Sequence, residues 1–228
     1  GSGDVVIKPL SDGTSIMSGY FYSQAIFGTK TLTSLDSLDD EASDGYIAKV
    51  DANGDFVWVT QVGGSDSQDI ADMQVQTDGS SIIVGNFNNQ SIFGATTIVS
   101  DGFDGYIAKV DANGDFVWVR QIGGSNYQNI DGIQVQGDGS SIIVGRFYNQ
   151  FIFGATTFTS TDGQWDGYIA KVNANGDIVW ARQIEGNNYQ EIGPIQIQDD
   201  GSIIIGGFFY GEIILGTTTL STPHEGGD

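Results

Sequence analysis

One seven-residue phrase, Asp-Gly-Tyr-Ile-Ala-Lys-Val, occurs three times in this chain, at Asp44 to Val50, Asp104 to Val110 and Asp166 to Val172. An Asn-Gly pair follows each time and then a tryptophan, Trp58, Trp118 and Trp180, and the copies start 60 and then 62 residues apart. A repeat of this length is a supersecondary unit that cannot bury its apolar faces alone, so neighbouring units must cover one another. The expected organisation is one repeat array over residues 1–228, with units of about 5–64, 65–124 and 125–186 and a partial unit 187–228.

Each unit reads as two hairpins. In the first, Asp104 to Val110 leads through Asn113-Gly114 into Phe116 to Ile122, and Asn-Gly between two β-rich runs is the strongest short-range hairpin signal. In the second, Ile133-Gln134-Val135-Gln136 turns at Asp138-Gly139 into Ser141 to Phe147. Four strands per copy result. The strand Ile133 to Gln136 alternates strictly, as does a strand with one buried face, whereas Ile82-Ile83-Val84, Ile142-Ile143-Val144 and Ile203-Ile204-Ile205 are apolar without a break and want cover on both faces. No segment combines a 3.6-residue period with helix caps. The fold class is therefore all-β, and four-stranded antiparallel blades of this length point to a β-propeller, of which this chain holds about three and a half blades. Tight turns at this density account for 34 glycines in 228 residues, about twice the ordinary share.

The phase of the array matters as much as its period. The Asp-Gly hairpin occurs four times, at Asp12, Asp78, Asp138 and Asp200, and the Asn-Gly hairpin three times, at Asn53, Asn113 and Asn175. By the spacing of the third copy, a fourth Asp-Gly-Tyr-Ile-Ala-Lys-Val is due at Asp228. The unmatched half-unit is expected to find cover by self-association or on another blade-bearing subunit, because an open strand edge invites pairing. Length differences between copies gather in one surface loop, the acidic Leu35 to Ser43 stretch of the first copy.

Composition narrows the partners. A formal charge of −21, from 29 acidic against 8 basic residues, repels phosphate backbones, so nucleic acid is not an expected partner. No run approaches the roughly 18 apolar residues of a spanning helix, so no membrane insertion is expected. Cysteine is absent, leaving neither disulfides nor thiolate metal sites. Gly1-Ser2-Gly3 reads as a cloning remnant, not a targeting signal.

The stretch Asp104 to Trp118, followed by Gln121-Ile122-Gly123-Gly124, the Gly137-Asp138-Gly139-Ser140 turn and the Ile142-Ile143-Val144-Gly145 strand, resembles the bacterial SBBP-type β-propeller repeat. Phe93-Gly94 and Phe153-Gly154 with their following threonines are similar to the linker of those repeats, and the likeness runs from about Val5 to Thr222. The resemblance implies a propeller and a place in large proteins secreted by, or on the surface of, a bacterium.

The candidate ligand site lies in the loop after each tryptophan strand. Gln68, then Asn126, Tyr127 and Gln128, then Asn188, Tyr189 and Gln190, would recur on one face of the ring as similar pockets of amides beside an aromatic platform. Such a platform suits a sugar, whose CH face stacks while its hydroxyls take hydrogen bonds. The plainer reading is that the amides cap strand ends and the tyrosines fill gaps between blades. Trp165, unrepeated and in the variable loop, is a further candidate contact, against simple anchoring of that loop. Calcium is the one ion with a candidate motif: Asp51, Asn53 and Asp55, repeated as Asp111, Asn113 and Asp115, have the one-three-five oxygen spacing. The expected sixth-position glycine and twelfth-position glutamate are missing, so an Asn-Gly turn edged by aspartates is the favoured reading and no cofactor is expected. Trp58, Trp118 and Trp180 are expected between blades. The sole histidine, His224, gives no triad or histidine-rich metal site.

The expected function is a non-catalytic extracellular module for adhesion, binding or structural assembly. A multivalent carbohydrate-binding lectin with one weak site per blade is the second reading. A glycosidase using two carboxylates, with Asp36, Asp39, Asp40 and Glu41 as its unrepeated acids, is the third.

Overall fold

The computed structural model describes residues 5–35 and 42–222, so the acidic loop residues Asp36 to Glu41 and His224 lie outside the described residues. Eighteen strands follow in chain order: β1 (Val6–Pro9), β2 (Ser15–Tyr22), β3 (Gln24–Phe27), β4 (Lys30–Thr33), β5 (Ser43–Val50), β6 (Phe56–Ser65), β7 (Asp72–Val75), β8 (Ser81–Phe93), β9 (Thr96–Val110), β10 (Phe116–Val135), β11 (Ser141–Phe153), β12 (Thr156–Thr159), β13 (Trp165–Val172), β14 (Ile178–Gly186), β15 (Gln190–Ile197), β16 (Ile203–Phe209), β17 (Glu212–Leu215) and β18 (Thr218–Ser221). No α-helix forms among the described residues. The chain divides into two compact units, 1–121 and 122–228, and the division falls inside β10.

In the first unit β1-β2-β5-β6 make one antiparallel meander, and β7-β8-β9 with the first part of β10 make a second. In the second unit the last part of β10 continues through β11 and β13 to β14, while β15 and β16 form a sheet of two. Four antiparallel strands per complete copy is the expected count. The two turn types are stitched the same way each time. Asp12, Asp78, Asp138 and Asp200 each accept the backbone N–H two residues on at 2.9 Å. Asp51 Oδ1 accepts from the N–H groups of Asn53 and Asp55 at 2.8 and 2.9 Å, Asp111 does likewise at 2.8 and 3.0 Å, and Asn173 substitutes for them in the third copy. Side-chain oxygens that satisfy turn N–H groups in this way explain the one-three-five spacing without an ion. The same bonds hold the Asp51 and Asp111 carboxyls below the usual range.

The unbroken apolar strands receive their cover where a third strand lies beside them. Ile82, Ile83 and Val84, and Ile142, Ile143 and Val144, are all at most 1% exposed. The tyrosine of the repeated phrase closes each sheet. Tyr106 packs on Phe93 with ring centroids 4.7 Å apart and donates to Asp69 O at 2.6 Å. Tyr168 stacks on Phe151 at 4.4 Å and donates to Asn129 O at 3.0 Å. Each phenol passes over a glycine, Gly85 or Gly145, where an added Cβ would meet the hydroxyl at 2.7 Å. Only glycine admits so close an approach. Each such ring, fully buried, contributes roughly 1.5–3 kcal/mol relative to exposure.

Buried acids brace the third strand. Asp166 Oδ2 accepts from Gln183 Nε2 at 2.6 Å and from the Thr161 N–H at 3.1 Å, and Gln183 also donates to Thr159 O at 2.9 Å. Gln61 and Asp44 repeat the arrangement in the first copy. Desolvation outweighs these bonds, lifting Asp44 and raising Asp166 to about 6.

The first tryptophan sits where a neighbouring copy needs it. Trp58 Nε1 donates to Ala112 O at 3.0 Å, and Thr60 Oγ1 donates to Gly114 O at 2.6 Å. The ring lies against Gly114, where an added Cβ would come within 2.8 Å of it, whereas Gly54 at the corresponding turn has nothing within 4 Å. The fourth copy departs from expectation. Its Ile204 is 56% exposed, because β16 has no third strand beside it among the described residues.

Candidate functional site

Three buried glutamines were candidate ligand amides, and the structure assigns them another task. Gln68, Gln128 and Gln190 are fully buried. Gln68 Nε2 donates to Ser65 O and Gln90 O at 2.9 and 3.2 Å, and Gln128 Nε2 to Ser125 O and Gln150 O at 2.8 and 3.0 Å. Gln190 Nε2 donates to Asn188 O at 2.6 Å. These amides satisfy backbone carbonyls of their own loops and, for Gln68 and Gln128, of the facing strand, which water would otherwise have to do. They hold the loops from a buried position.

The other candidates stay at the surface. Asn126 occupies the left-handed region, φ +74°, that asparagine tolerates, and Asn188 Oδ1 accepts the Tyr189 N–H at 2.9 Å. Tyr127 is 53% exposed. Its ring lies 6.2 Å from that of Trp165, and Tyr148 approaches the same indole at 5.9 Å. Trp165, placed at the start of β13, thus belongs to a ring cluster and not to an isolated loop.

At the centre stands Arg146, one of eight basic residues in the chain. Its guanidinium lies 5.5 Å from the Trp165 ring centroid and 5.6 Å from that of Tyr189, within cation–π range. Nη1 pairs with Glu191 Oε2 at 2.6 Å and also donates to the Tyr189 hydroxyl, which in turn donates to Glu191 Oε2 at 2.6 Å. Asp131 Oδ2 lies 3.9 Å from Arg146 Nε. Burial and the bond to Glu191 push the Tyr189 phenol up to about 12, against the pull of Arg146. Phe208 stacks on Tyr189 at 5.8 Å, and Tyr210 completes the row. The result is a half-exposed aromatic surface around a cation whose charge is answered by carboxylates.

Equivalent positions in the first unit form a pocket of about 330 Å³ bounded by Tyr20, Tyr22, Ser43, Ser67, Asp69 and Asn86. Position by position these match Arg146, Tyr148, Trp165, Tyr189, Glu191 and Phe208. The acid recurs and most of the rest differs. Asp69 Oδ1 accepts the Asn86 N–H at 2.7 Å, and burial raises its carboxyl. Tyr20 and Tyr22 meet edge to face at 5.5 Å. Sequence reading weighed the loops that hold Asp69 and Glu191 and the stretch Phe208 to Tyr210, but passed over Arg146 and Tyr20. The signal that marks them is their disagreement between copies within strands that otherwise repeat.

Among the described residues no group of three or more His, Asp or Glu side chains is placed to hold a metal ion. The calcium candidates Asp51, Asn53, Asp55, Asp111, Asn113 and Asp115 sit in the hairpin turns described above.

No family model matches the chain. Over 201 residues it is 24% identical to an uncharacterized WD repeat-containing protein of Acanthamoeba polyphaga mimivirus, covering 72% of this chain and 14% of that protein. Over 144 residues it is 27% identical to the regulatory protein FlaEY of Caulobacter vibrioides, covering 59% of this chain and 14% of that protein. The chain therefore spans about one seventh of each of these curated relatives.

Proposed function

We propose that this chain forms blades of a β-propeller that works as a non-catalytic binding and adhesion module outside a bacterial cell, taking carbohydrate at the Trp165 and Arg146 cluster. The propeller reading is supported by four-stranded antiparallel meanders repeated at 60-residue spacing and by the likeness to a WD repeat-containing protein. The extracellular placement rests on the resemblance to SBBP-type repeats.

One observation carries the ligand reading: Arg146, Trp165, Tyr189 and Glu191, which differ from their counterparts Tyr20, Ser43, Ser67 and Asp69, meet at one surface of the second unit, whereas the repeated Tyr168 and Gln128 are buried. Tyr127 and the half-buried Trp165 offer flat faces for the CH side of a sugar ring. Glu191 and Arg146 offer an acceptor and a donor for its hydroxyls. Because the guanidinium is already answered by Glu191 and flanked by Asp131, the site suits a neutral sugar better than an acidic one.

A glycan array, followed by calorimetry on the best sugar, tests this. Trp165→Ala is expected to weaken binding about tenfold, equivalent to ~1.4 kcal/mol, without loss of the fold. Silence across neutral sugars, with and without calcium, removes the carbohydrate reading. Turnover of a chromogenic glycoside, abolished by substituting one acid, overturns the non-catalytic one.

A further inference from the structure

The two units keep one acid and differ in what answers it. In the second, a cation built into the chain does so: Arg146 Nη1 pairs with Glu191 Oε2 at 2.6 Å, and the guanidinium lies 5.5 and 5.6 Å from the ring centroids of Trp165 and Tyr189. In the first, Asp69 takes the place of Glu191, and Tyr20 stands where Arg146 does. Ser43 and Ser67 replace the two flanking rings, and the pocket of about 330 Å³ opens beside them. The acid is kept and its cation is not.

Asp69 Oδ1 accepts the N–H and the side-chain amide of Asn86 at 2.7 and 3.3 Å, while Oδ2 meets that amide only at 3.5 Å. Among the described residues no lysine or arginine pairs with this carboxylate, and burial, set against the Asn86 bonds alone, raises it. The walls beside it are aromatic: Tyr20 and Tyr22 meet edge to face at 5.5 Å, and Phe103 borders the same space. Ser43 and Ser67 add hydroxyls to the lining, and the Ser43 N–H donates to Ser67 Oγ at 3.3 Å. Rings around one carboxylate suit a weakly hydrated organic cation. A metal ion would ask for several oxygen ligands where this pocket has rings. A guanidinium answers the set best, because its fork of N–H donors can meet Oδ2 and the serine hydroxyls while its plane lies on a tyrosine. The chain's charge of −21 draws such a cation in.

We propose that the pocket of Asp69, Tyr20 and Tyr22 binds a guanidinium group, carried by an arginine side chain or a small arginine derivative, in the role that Arg146 plays for Glu191. The cation pairs with Asp69 Oδ2 and lies against a tyrosine ring. The same electrostatic arrangement thus occurs in both units, closed by the chain's own side chain in the second and by a ligand in the first. The inference uses the internal likeness of the copies and is independent of the sugar reading, whose residues all lie in the second unit.

The test titrates Nα-acetyl-arginine amide into the intact, isotopically labelled chain and follows backbone amide shifts by nuclear magnetic resonance. Saturable shifts are expected at Asp69 and Asn86. The citrulline counterpart, of the same shape without the charge, is expected to bind about tenfold more weakly, the loss that removing one charge-assisted bond implies. Asp69→Asn keeps an acceptor for the Asn86 N–H and is expected to weaken the arginine compound by a similar factor. Tyr20→Arg, which installs the second unit's cation, is expected to abolish binding. Tyr22 is 48% exposed, so Tyr22→Ala remains folded even if the other variants do not, and it is expected to weaken binding by a smaller factor. Equal binding of the citrulline compound, an unchanged response in Asp69→Asn, or no saturating shift at millimolar concentration overturns the proposal. So does tighter binding of tetramethylammonium, since a cation without N–H donors is then the ligand. A blocked glycyl-arginyl-glycine peptide separates the two sources: tighter binding than the single residue supports an arginine displayed on a polypeptide, and equal binding supports a free small molecule. Sugar affinity is measured on the same samples. Absence of arginine binding with sugar binding intact refutes the cation site alone, and the reverse refutes the sugar site alone.

Discussion

The pocket beside Tyr20 and the cluster around Arg146 stand on the same strand ends, yet one is a cavity bounded by hydroxyls and a buried acid and the other is a surface of rings around a cation. Between them Ser43 becomes Trp165, Ser67 becomes Tyr189 and Tyr20 becomes Arg146, while the buried tyrosine and glutamine beneath are unchanged. The difference teaches that the repeat separates two duties. Buried positions answer to packing and to the backbone carbonyls, which are the same in every copy, so they repeat. Positions at the pocket answer to whatever binds there, and they are free to differ.

If that separation is right, damage to the shared frame costs the same in both units. Tyr106→Ala and Tyr168→Ala should each destabilise by about 3–5 kcal/mol, the usual cost of emptying an aromatic site, as measured by urea denaturation. A loss under about 1 kcal/mol in one of them would show that the frame is not shared. Next in size, Gln68→Leu and Gln128→Leu should each cost about 1–3 kcal/mol, because two carbonyls lose their buried donor.

A pH profile sharpens the comparison further. Asp166 carries a folded-state value of about 6, above its ordinary 3.8, so the folded chain binds this proton more tightly than the unfolded one. Stability should therefore fall as pH rises from about 4 to 6 and level off above. Asp44, also raised, adds in the same direction. Asp166→Asn keeps the acceptor for Gln183 and should flatten this slope in melts recorded from pH 4 to 7. A slope unchanged in the variant would assign it to other acids. The smallest effect concerns the cluster alone: Glu191→Gln should lower the Tyr189 phenol from about 12 by weakening its acceptor, read by ultraviolet titration of tyrosinate. An unchanged value would mean that burial, not Glu191, sets it.

Much of the architecture could be read before any coordinates. Asn53-Gly54 and Asn113-Gly114 marked hairpins because those backbone conformations, φ +89° and +90° at the glycines, demand such residues. The unbroken Ile82-Ile83-Val84 announced a strand covered on both faces. The candidate site was read less well. Gln68, Gln128 and Gln190 looked like surface amides because a polar side chain in a loop carries no mark of which way it turns, and here each turns inward to backbone carbonyls, Gln68 and Gln128 to ones 22 residues away. Trp165 was noticed as unrepeated, but its partner Arg146 sits inside a strand that otherwise reads as repeat.

Local chemistry, then, settled what each segment is: turn residues dictate turns, and alternation or continuity of apolar residues dictates how many faces a strand must hide. Those are properties of neighbours in sequence, so they are written in it. Which side chains meet was settled by pairing across distance. Arg146 and Glu191 lie 45 residues apart and touch only because two successive copies bring the same strand ends together.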